Sequence, residues 1–381
     1  MQIALDVTVL GRTRKTGVEA YTRGVVEAAL PLWSGAAVTL CALGGAPLQL
    51  QWPAAAGPAV RRAPWMPPRV YRTLLRAHLA PRFDHLLGTR FDAAFFPDFV
   101  LPPLARRTRA AVVVHDLAFA MRPEFVPARN RAYLTDLVRR SVQRATVVVA
   151  VSEFTRQELA AHYGLDPATV RVISPAVDPQ RFRPRSPVET TAARARYGLE
   201  GPYVLFRGTV EPRKNVANVI RAFEALPAAV RGAHTLALVG GRGWLDGGIQ
   251  AALRNARAGG AEIRALGYVP DADVPFLDAA ASAFVFPSHY EGFGMPVLEA
   301  LASGAPVITS RVSALPEVAG DAALLVDPDD VQGLAATLGR VLEDRALAAD
   351  LRARGPVRAR AYRWETSGER LVNLMRDLGR S

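Results

Sequence analysis

The sequence predicts an α/β protein built from two doubly wound, parallel-sheet domains in tandem. Three observations carry that prediction. The chain has 381 residues, more than one hydrophobic core commonly organises. Half of it is apolar and 22% is charged, the balance of a globular protein able to bury a large core. Short runs of Val, Ile, Leu and Phe alternate with longer amphipathic patterns along the whole length, as in parallel sheets covered by helices on both faces.

The first domain is expected over 1–183, with strands near 3–7, 38–43, 93–96, 111–115, 146–151 and 170–173. The stretch 60–92 departs from the pattern. Helical spacing there puts Arg69, Arg72 and Arg76 on one face and Tyr71, Leu74, Leu75 and Leu79 on the other, with Trp65, Met66 and Phe83 nearby. Such a basic amphipathic helix suits a membrane interface, and equally an ordinary surface helix packed on the sheet. A linker is expected over 184–200, where Arg183-Pro184-Arg185-Ser186-Pro187 is rich in Pro and polar residues. The second domain is expected over 201–362, with strands near 203–207, 235–239, 262–266, 283–287, 306–309 and 323–326. Segment 363–381 reads as a terminal helix with Leu371, Leu374, Met375 and Leu378 on one face, packing back towards the N-terminal domain.

Charge divides unevenly. The chain carries a net +12, of which +11 falls in residues 1–183 and +1 in 184–381. A basic N-terminal half points to an anionic partner or to a solvated surface in which Arg is the default cation. Among the basic residues only Lys15 and Lys214 are lysine, so each marks a place where a compact charge on a flexible stem is wanted. The single Cys41 excludes intrachain disulfides and Cys-rich metal sites. No run approaches the roughly 20 apolar residues of a membrane span, and Met1 leads directly into a strand pattern. A cytoplasmic protein is expected.

The segment Phe284-Val285-Phe286-Pro287-Ser288-His289-Tyr290-Glu291-Gly292-Phe293-Gly294-Met295-Pro296-Val297-Leu298-Glu299 carries most of the chemistry. A buried strand ends at Pro287, a glycine-bearing loop follows, and Pro296 suits the first turn of a helix. The amides of Gly292, Phe293, Gly294 and Met295 would then face outward at a helix N-terminus, ready for hydroxyls or an anion. Glu291 in the loop and Glu299 in the helix are spaced to meet different parts of one extended ligand.

This string resembles the Glu-x7-Glu signature of retaining glycosyltransferases of family 4, which have the GT-B architecture of two Rossmann-like domains facing a central cleft. The resemblance extends to Thr16-Gly17-Val18, Val114-His115-Asp116, Val149-Ala150-Val151-Ser152-Glu153, Ile173-Ser174-Pro175, Gly208-Thr209-Val210-Glu211-Pro212-Arg213-Lys214-Asn215 and Gly304-Ala305-Pro306. It implies a nucleotide-sugar donor bound mainly by the C-terminal domain and a glycan or lipid-linked acceptor bound by the N-terminal one. No metal or other cofactor is implied. Glu299 would hold the donor ribose. Glu291, with the Phe293 and Gly294 amides, would hold the transferred sugar. Lys214, helped by Arg213 or the Gly17 loop, would neutralise the departing diphosphate. His115 would face the reacting carbon, and the backbone at Gly267, Tyr268 and Val269 would contact the base. Thr209 stands where many relatives carry Arg, and Arg213 is expected to substitute. Lys15 is a further candidate for the phosphates. The Glu-Pro-Arg-Lys-Asn variant, with Ser313-Ala314-Leu315-Pro316-Glu317-Val318, looks most like the mannosyltransferase-like branch and favours GDP-mannose, a UDP-sugar-dependent glucosyl, galactosyl or N-acetylglucosaminyl transferase of the same fold being the alternative. Replacing Glu291 or Lys214 by Ala is expected to cut turnover and leave the fold intact.

Other readings are weaker. Val239-Gly240-Gly241-Arg242-Gly243 lacks the third glycine of a dinucleotide fingerprint because Asp246 takes its place. Asp271/Asp273 and Asp327/Asp329 lie in polar turns. Charge alone suggests nucleic acid, with no reader motif to support it, so none is expected. A silent sugar-nucleotide-binding subunit is disfavoured by the complete set His115, Lys214, Glu291 and Glu299. Peripheral contact with an anionic membrane accounts for the basic N-terminal half.

Overall fold

Strand pairing is parallel throughout both sheets in a computed structural model that describes residues 1–11, 16–33, 37–48, 50, 58–241, 243 and 247–380. The chain forms two units. One comprises Met1–Ala176 together with Arg363–Ser381; the other is Val177–Tyr362.

In the N-terminal unit the strands are β1 (Gln2–Asp6), β2 (Ala37–Leu43), β3 (Ala59–Ala63), β4 (Ala93–Phe96), β5 (Arg109–Val114), β6 (Val147–Ala150) and β7 (Arg171–Val172), in the order β3-β2-β1-β4-β5-β6-β7. The central strands are apolar on both faces: Ile3, Leu5, Phe95 and Val113 are fully buried. β3 was absent from the sequence expectation. Its Ala-Val-Arg-Arg-Ala run is mostly exposed and pairs only with β2, and charge on such an edge strand discourages further pairing. Beyond it, the helix Pro68–Arg76 buries Tyr71 and packs Leu74 and Leu75 against the core. It stops before Leu79, since His78 takes a positive φ of 60°. Leu79 therefore leaves the expected apolar face and is 73% exposed, and Trp65 is 64% exposed.

The helix Trp364–Arg380 belongs to the same unit. Leu371, Leu374, Met375 and Leu378 are all buried. It packs on the helix Gly17–Ala29 through small residues: a Cβ on Gly368 would lie 2.7 Å from the Ala28 backbone, and Gly24 lies beneath the Trp364 ring. Ser367 Oγ donates to the Ser174 carbonyl (2.7 Å).

The C-terminal unit contains β8 (Tyr203–Arg207), β9 (Thr235–Val239), β10 (Ile263–Gly267), β11 (Ala283–Phe286), β12 (Val307–Ser310) and β13 (Ala323–Val326), ordered β10-β9-β8-β11-β12-β13. The linker expected over 184–200 is instead largely the helix Pro187–Arg196. Ser186 caps it, Pro187 occupies its first turn, and Glu189 accepts from the Ser186 amide (2.9 Å) in a capping box. Three local signals outweigh the Pro-rich composition. Among the described residues no helix is long and apolar enough to cross a membrane.

Candidate active site

In the C-terminal unit, β8 lies between β9 and β11, and the chain winds outward from it in opposite directions. Loops leaving the carboxyl ends of β8 and β11 therefore diverge, the position at which open α/β sheets bind ligands. Arg213 and Lys214 lie on the first loop, Glu291 on the second. Asn215, in left-handed backbone (φ 60°), ties the loops together: its Nδ2 donates to the carbonyls of Pro287 (3.0 Å) and Pro328 (2.6 Å).

That bracing closes an ion cluster. Lys214 Nζ pairs with Glu291 Oε1, and Arg213 Nη1 donates to Glu291 Oε2 (3.1 Å) and to the Tyr290 carbonyl (2.7 Å). Arg213 Nη2 also donates to Glu211 (2.9 Å), and Ser288 Oγ donates to Glu291 Oε1 (2.8 Å). The Glu291 amide donates to Ser313 Oγ (3.1 Å), which fixes the loop from the opposite side. Burial opposes the Glu291 charge, yet Arg213 and then Lys214 outweigh it and hold its pKa down to about 2. Burial and the Arg213 charge pull Lys214 below the usual lysine range. Burial pushes Glu211 up. Arg213, expected to face the diphosphate, thus already holds two carboxylates.

Glu299 sits on the helix Met295–Ala302 in a second cluster. Arg207 Nη2 lies 2.7 Å from Glu299 Oε2 and 3.0 Å from Asp278 Oδ2. Asp278 is fully buried; burial first, with the Glu299 charge adding and Arg207 opposing, pushes it up to about 6. Sequence reasoning missed Arg207 and Asp278, which are 71 positions apart. The only local signal is an arginine closing an otherwise apolar strand.

Gly294 caps the Glu299 helix at φ 115°, where a Cβ would lie 2.7 Å from Leu315 Cδ2. The amides of Phe293, Gly294 and Met295 precede the first bonds of that helix, which run from Val297 and Leu298 to the Gly294 carbonyl. Gly292 is buried beside them, and the Phe293 ring packs edge-on to Tyr362 at 5.3 Å. At the end of β10, the Gly267 carbonyl accepts from Gly240 (2.8 Å) and so is engaged internally. Tyr268 is 67% exposed and Val269 is buried. Gly240 itself, in the glycine string after β9, lies against the Gly208 carbonyl; that string provides close packing between loops. Asp273 is held by Arg196 (2.6 Å) and Tyr197 (2.6 Å).

Gly17 and His115 belong to the N-terminal unit. Gly17 opens the helix capped by Thr16, whose Oγ1 accepts from the Glu19 amide (3.2 Å). His115, just past β5, has its Nε2 2.6 Å from the Pro97 carbonyl. Nε2 therefore carries the proton, and burial, partly offset by that bond, lowers the imidazole pKa. Tyr21 packs edge-on to the ring at 5.1 Å and Phe99 lies at 5.2 Å. Neither contact was anticipated from sequence. Lys15 and Asp246 lie outside the described residues.

Comparison with known proteins accords with this arrangement. Residues 16–181 match the family profile described as Glycosyltransferase Family 4, and residues 189–358 match Glycosyl transferases group 1. The chain is 39% identical over 279 residues to the O-antigen chain mannosyltransferase B of Escherichia coli, covering 73% of this chain and 72% of that protein. It is 31% identical over 308 residues to a GDP-mannose-dependent alpha-(1-6)-phosphatidylinositol monomannoside mannosyltransferase of Mycolicibacterium smegmatis, covering 77% of each. Among solved structures it is similar to the sucrose-phosphate synthase of Thermosynechococcus elongatus (TM-score 0.72, 21% identity, 99% of this chain and 98% of that one). It is also similar to Anabaena HepE in complex with UDP-glucose (TM-score 0.71, 18% identity, 99% and 100%). The chain belongs to glycosyltransferase family 4, has the GT-B fold, and is similar to the mannosyltransferases of that family.

Proposed function

We propose that the protein is a retaining mannosyltransferase, moving mannose from GDP-mannose to a glycan or lipid-linked acceptor in polysaccharide or glycolipid synthesis. The observation that carries the reading is the Arg213–Lys214–Glu291 cluster at the divergence of the β8 and β11 loops, in a chain similar to two mannosyltransferases. Glu291 stays a carboxylate at neutral pH and can accept hydrogen bonds from hydroxyls of the transferred sugar. The two cations beside it stabilise negative charge as the diphosphate departs. Glu299, oriented by Arg207, holds the ribose.

The C1–O bond to the diphosphate breaks as the acceptor oxygen bonds to the same face of C1, and the acceptor proton passes to a diphosphate oxygen. This route makes no use of a metal. His115, neutral and oriented by Pro97, faces the donor sugar. The basic surface of the N-terminal unit works against an anionic membrane.

A thermal-shift screen against GDP, GDP-mannose, UDP and UDP-glucose tests the donor, because a ligand bound in excess raises the melting temperature. A shift restricted to GDP and GDP-mannose supports the reading; a UDP-restricted shift replaces the donor. NMR of the product tests retention, with an inverted anomer overturning it. Loss of turnover in EDTA would overturn metal independence.

A further inference from the structure

The N-terminal unit has its own divergence point, where β1 lies between β2 and β4. A cavity of about 310 Å³ opens there, beyond the carboxyl ends of all three strands. Asp6 and Asp98 place two carboxylates in its wall, and Tyr71, Tyr133, Asn130 and Arg72 are among the other polar and aromatic residues that line it. Thr8 donates to Asp6 Oδ1 through its amide (3.0 Å) and hydroxyl (2.5 Å), which fixes that carboxylate. Phe99, also in the wall, carries the cavity to within ring contact of His115. Fixed carboxylates accept strong hydrogen bonds from hydroxyls, and aromatic walls suit the C–H faces of a sugar.

A second cavity of about 330 Å³ shares Tyr133 with the first. Its cations are Arg76, from the helix Pro68–Arg76, and Arg129, from the helix Ala128–Arg144. Arg76 is held in place, its guanidinium 4.5 Å above the Tyr133 ring and its Nη2 3.4 Å from the Arg129 carbonyl. The one acid in this wall, Asp136, is bonded to Arg139 (3.2 Å) and Arg140 (2.9 Å). The outer cavity, with two arginines and one acid that is already paired, thus favours an anion over the inner cavity, where Asp6 and Asp98 outnumber Arg72. Guanidinium groups match phosphate oxygens in pairs.

We propose that the two cavities form one acceptor site for a phosphate-linked glycan, with the sugar between Asp6 and Asp98 and the phosphate between Arg76 and Arg129. This rests on the chain being a glycosyltransferase, and it stands whichever nucleotide-sugar proves to be the donor.

Hexyl phosphodiesters of mannose and of N-acetylglucosamine, the corresponding neutral hexyl glycosides, and hexyl phosphate are the probes. They are titrated with the nucleotide site saturated by GDP or UDP, whichever binds, so that phosphate does not report on that site. Nucleotide binding is read first and alone, which separates failure of the donor reading from failure of this one. The expected result is that a sugar phosphodiester binds about tenfold tighter than its neutral glycoside, the effect of one charge-assisted contact. Arg76→Gln/Arg129→Gln should abolish that preference and leave the affinity for the neutral glycoside unchanged. The change Arg129→Gln alone, at an exposed residue, should reduce it if the double variant does not fold. Asp98→Asn should weaken both sugar probes. Equal affinities in the native protein, or a preference that survives the arginine changes, would overturn the proposal. So would hexyl phosphate binding as tightly as the sugar phosphodiester, which would make the arginines readers of a lipid headgroup.

Discussion

Glu291 binds two cations at once, so its removal disturbs more than the sugar contact proposed for it. The sequence expectation is that its loss spares the fold; the structure argues for a cost, because the buried Lys214 would lose its carboxylate partner and remain beside the charge of the half-buried Arg213. Glu291→Gln should cut kcat/KM by about 10²–10³ and destabilise the protein by about 3–5 kcal/mol. Adding Lys214→Met should restore part of the stability and none of the turnover. Urea denaturation and steady-state kinetics on the two variants check this; strictly additive stability losses would show that the pair is not coupled. Asp278 offers a test in pH. Its folded pKa, near 6, lies above its ordinary 3.8, so folding favours the protonated form and stability falls as pH rises through that window. Glu291, depressed to about 2, has the opposite sign and loses its contribution as pH falls from about 4.5 towards 2. Asp278→Asn should therefore flatten the decline between about pH 4 and 6 in denaturation curves, and an unchanged slope would refute the assignment. Glu291, Glu299 and Lys214 were legible because they sit in strings with recognisable spacing. Arg207 and Asp278 were not, because only the folded sheet brings a strand end and a distant helix together.

Elements were most legible where burial repeats. The central strands of both sheets, apolar on both faces, announce themselves as continuous runs. β3 does not, since an edge strand needs no apolar faces and carries Arg61 and Arg62 in its pairing register with β2. The helix Pro187–Arg196 was obscured by its flanking prolines, although Ser186 and Glu189 were readable as a capping box. Placement of the Glu299 helix depends on Gly294. Gly294→Ala would force a side chain into left-handed backbone and against Leu315, costing about 1–3 kcal/mol. Because strain there displaces the Phe293 and Met295 amides, donor affinity should fall along with the melting temperature. Loss of stability with unchanged donor affinity would detach those amides from the donor.

Across the whole molecule, charge and connectivity matter most. Net charge of +11 in residues 1–183 accompanies exposed Arg69 and Arg72 beside exposed Trp65 and Val70. Sedimentation with vesicles should therefore increase with the fraction of anionic lipid and decline with added salt; binding indifferent to lipid charge would leave this face as ordinary solvated surface. Connectivity makes the N-terminal unit depend on the far end of the chain. Leu371→Ala, in the fully buried face of the terminal helix, should cost about 2–5 kcal/mol. Hydrogen exchange should accelerate in Gly17–Ala29 and remain unchanged in Val331–Glu343, which lies in the other unit. Equal acceleration in both would mean that the units unfold as one.

That connectivity also sets an order of events during translation. Residues 177–362 are translated before the helix Trp364–Arg380, so the second-encoded unit has its full sequence first. The first-encoded unit must meanwhile hold the Gly17–Ala29 surface without its helical packing partner until that helix has been made. Nascent chains interrupted before that helix would thus carry a complete Val177–Tyr362 unit and an incomplete N-terminal one, a natural target for chaperones and proteases.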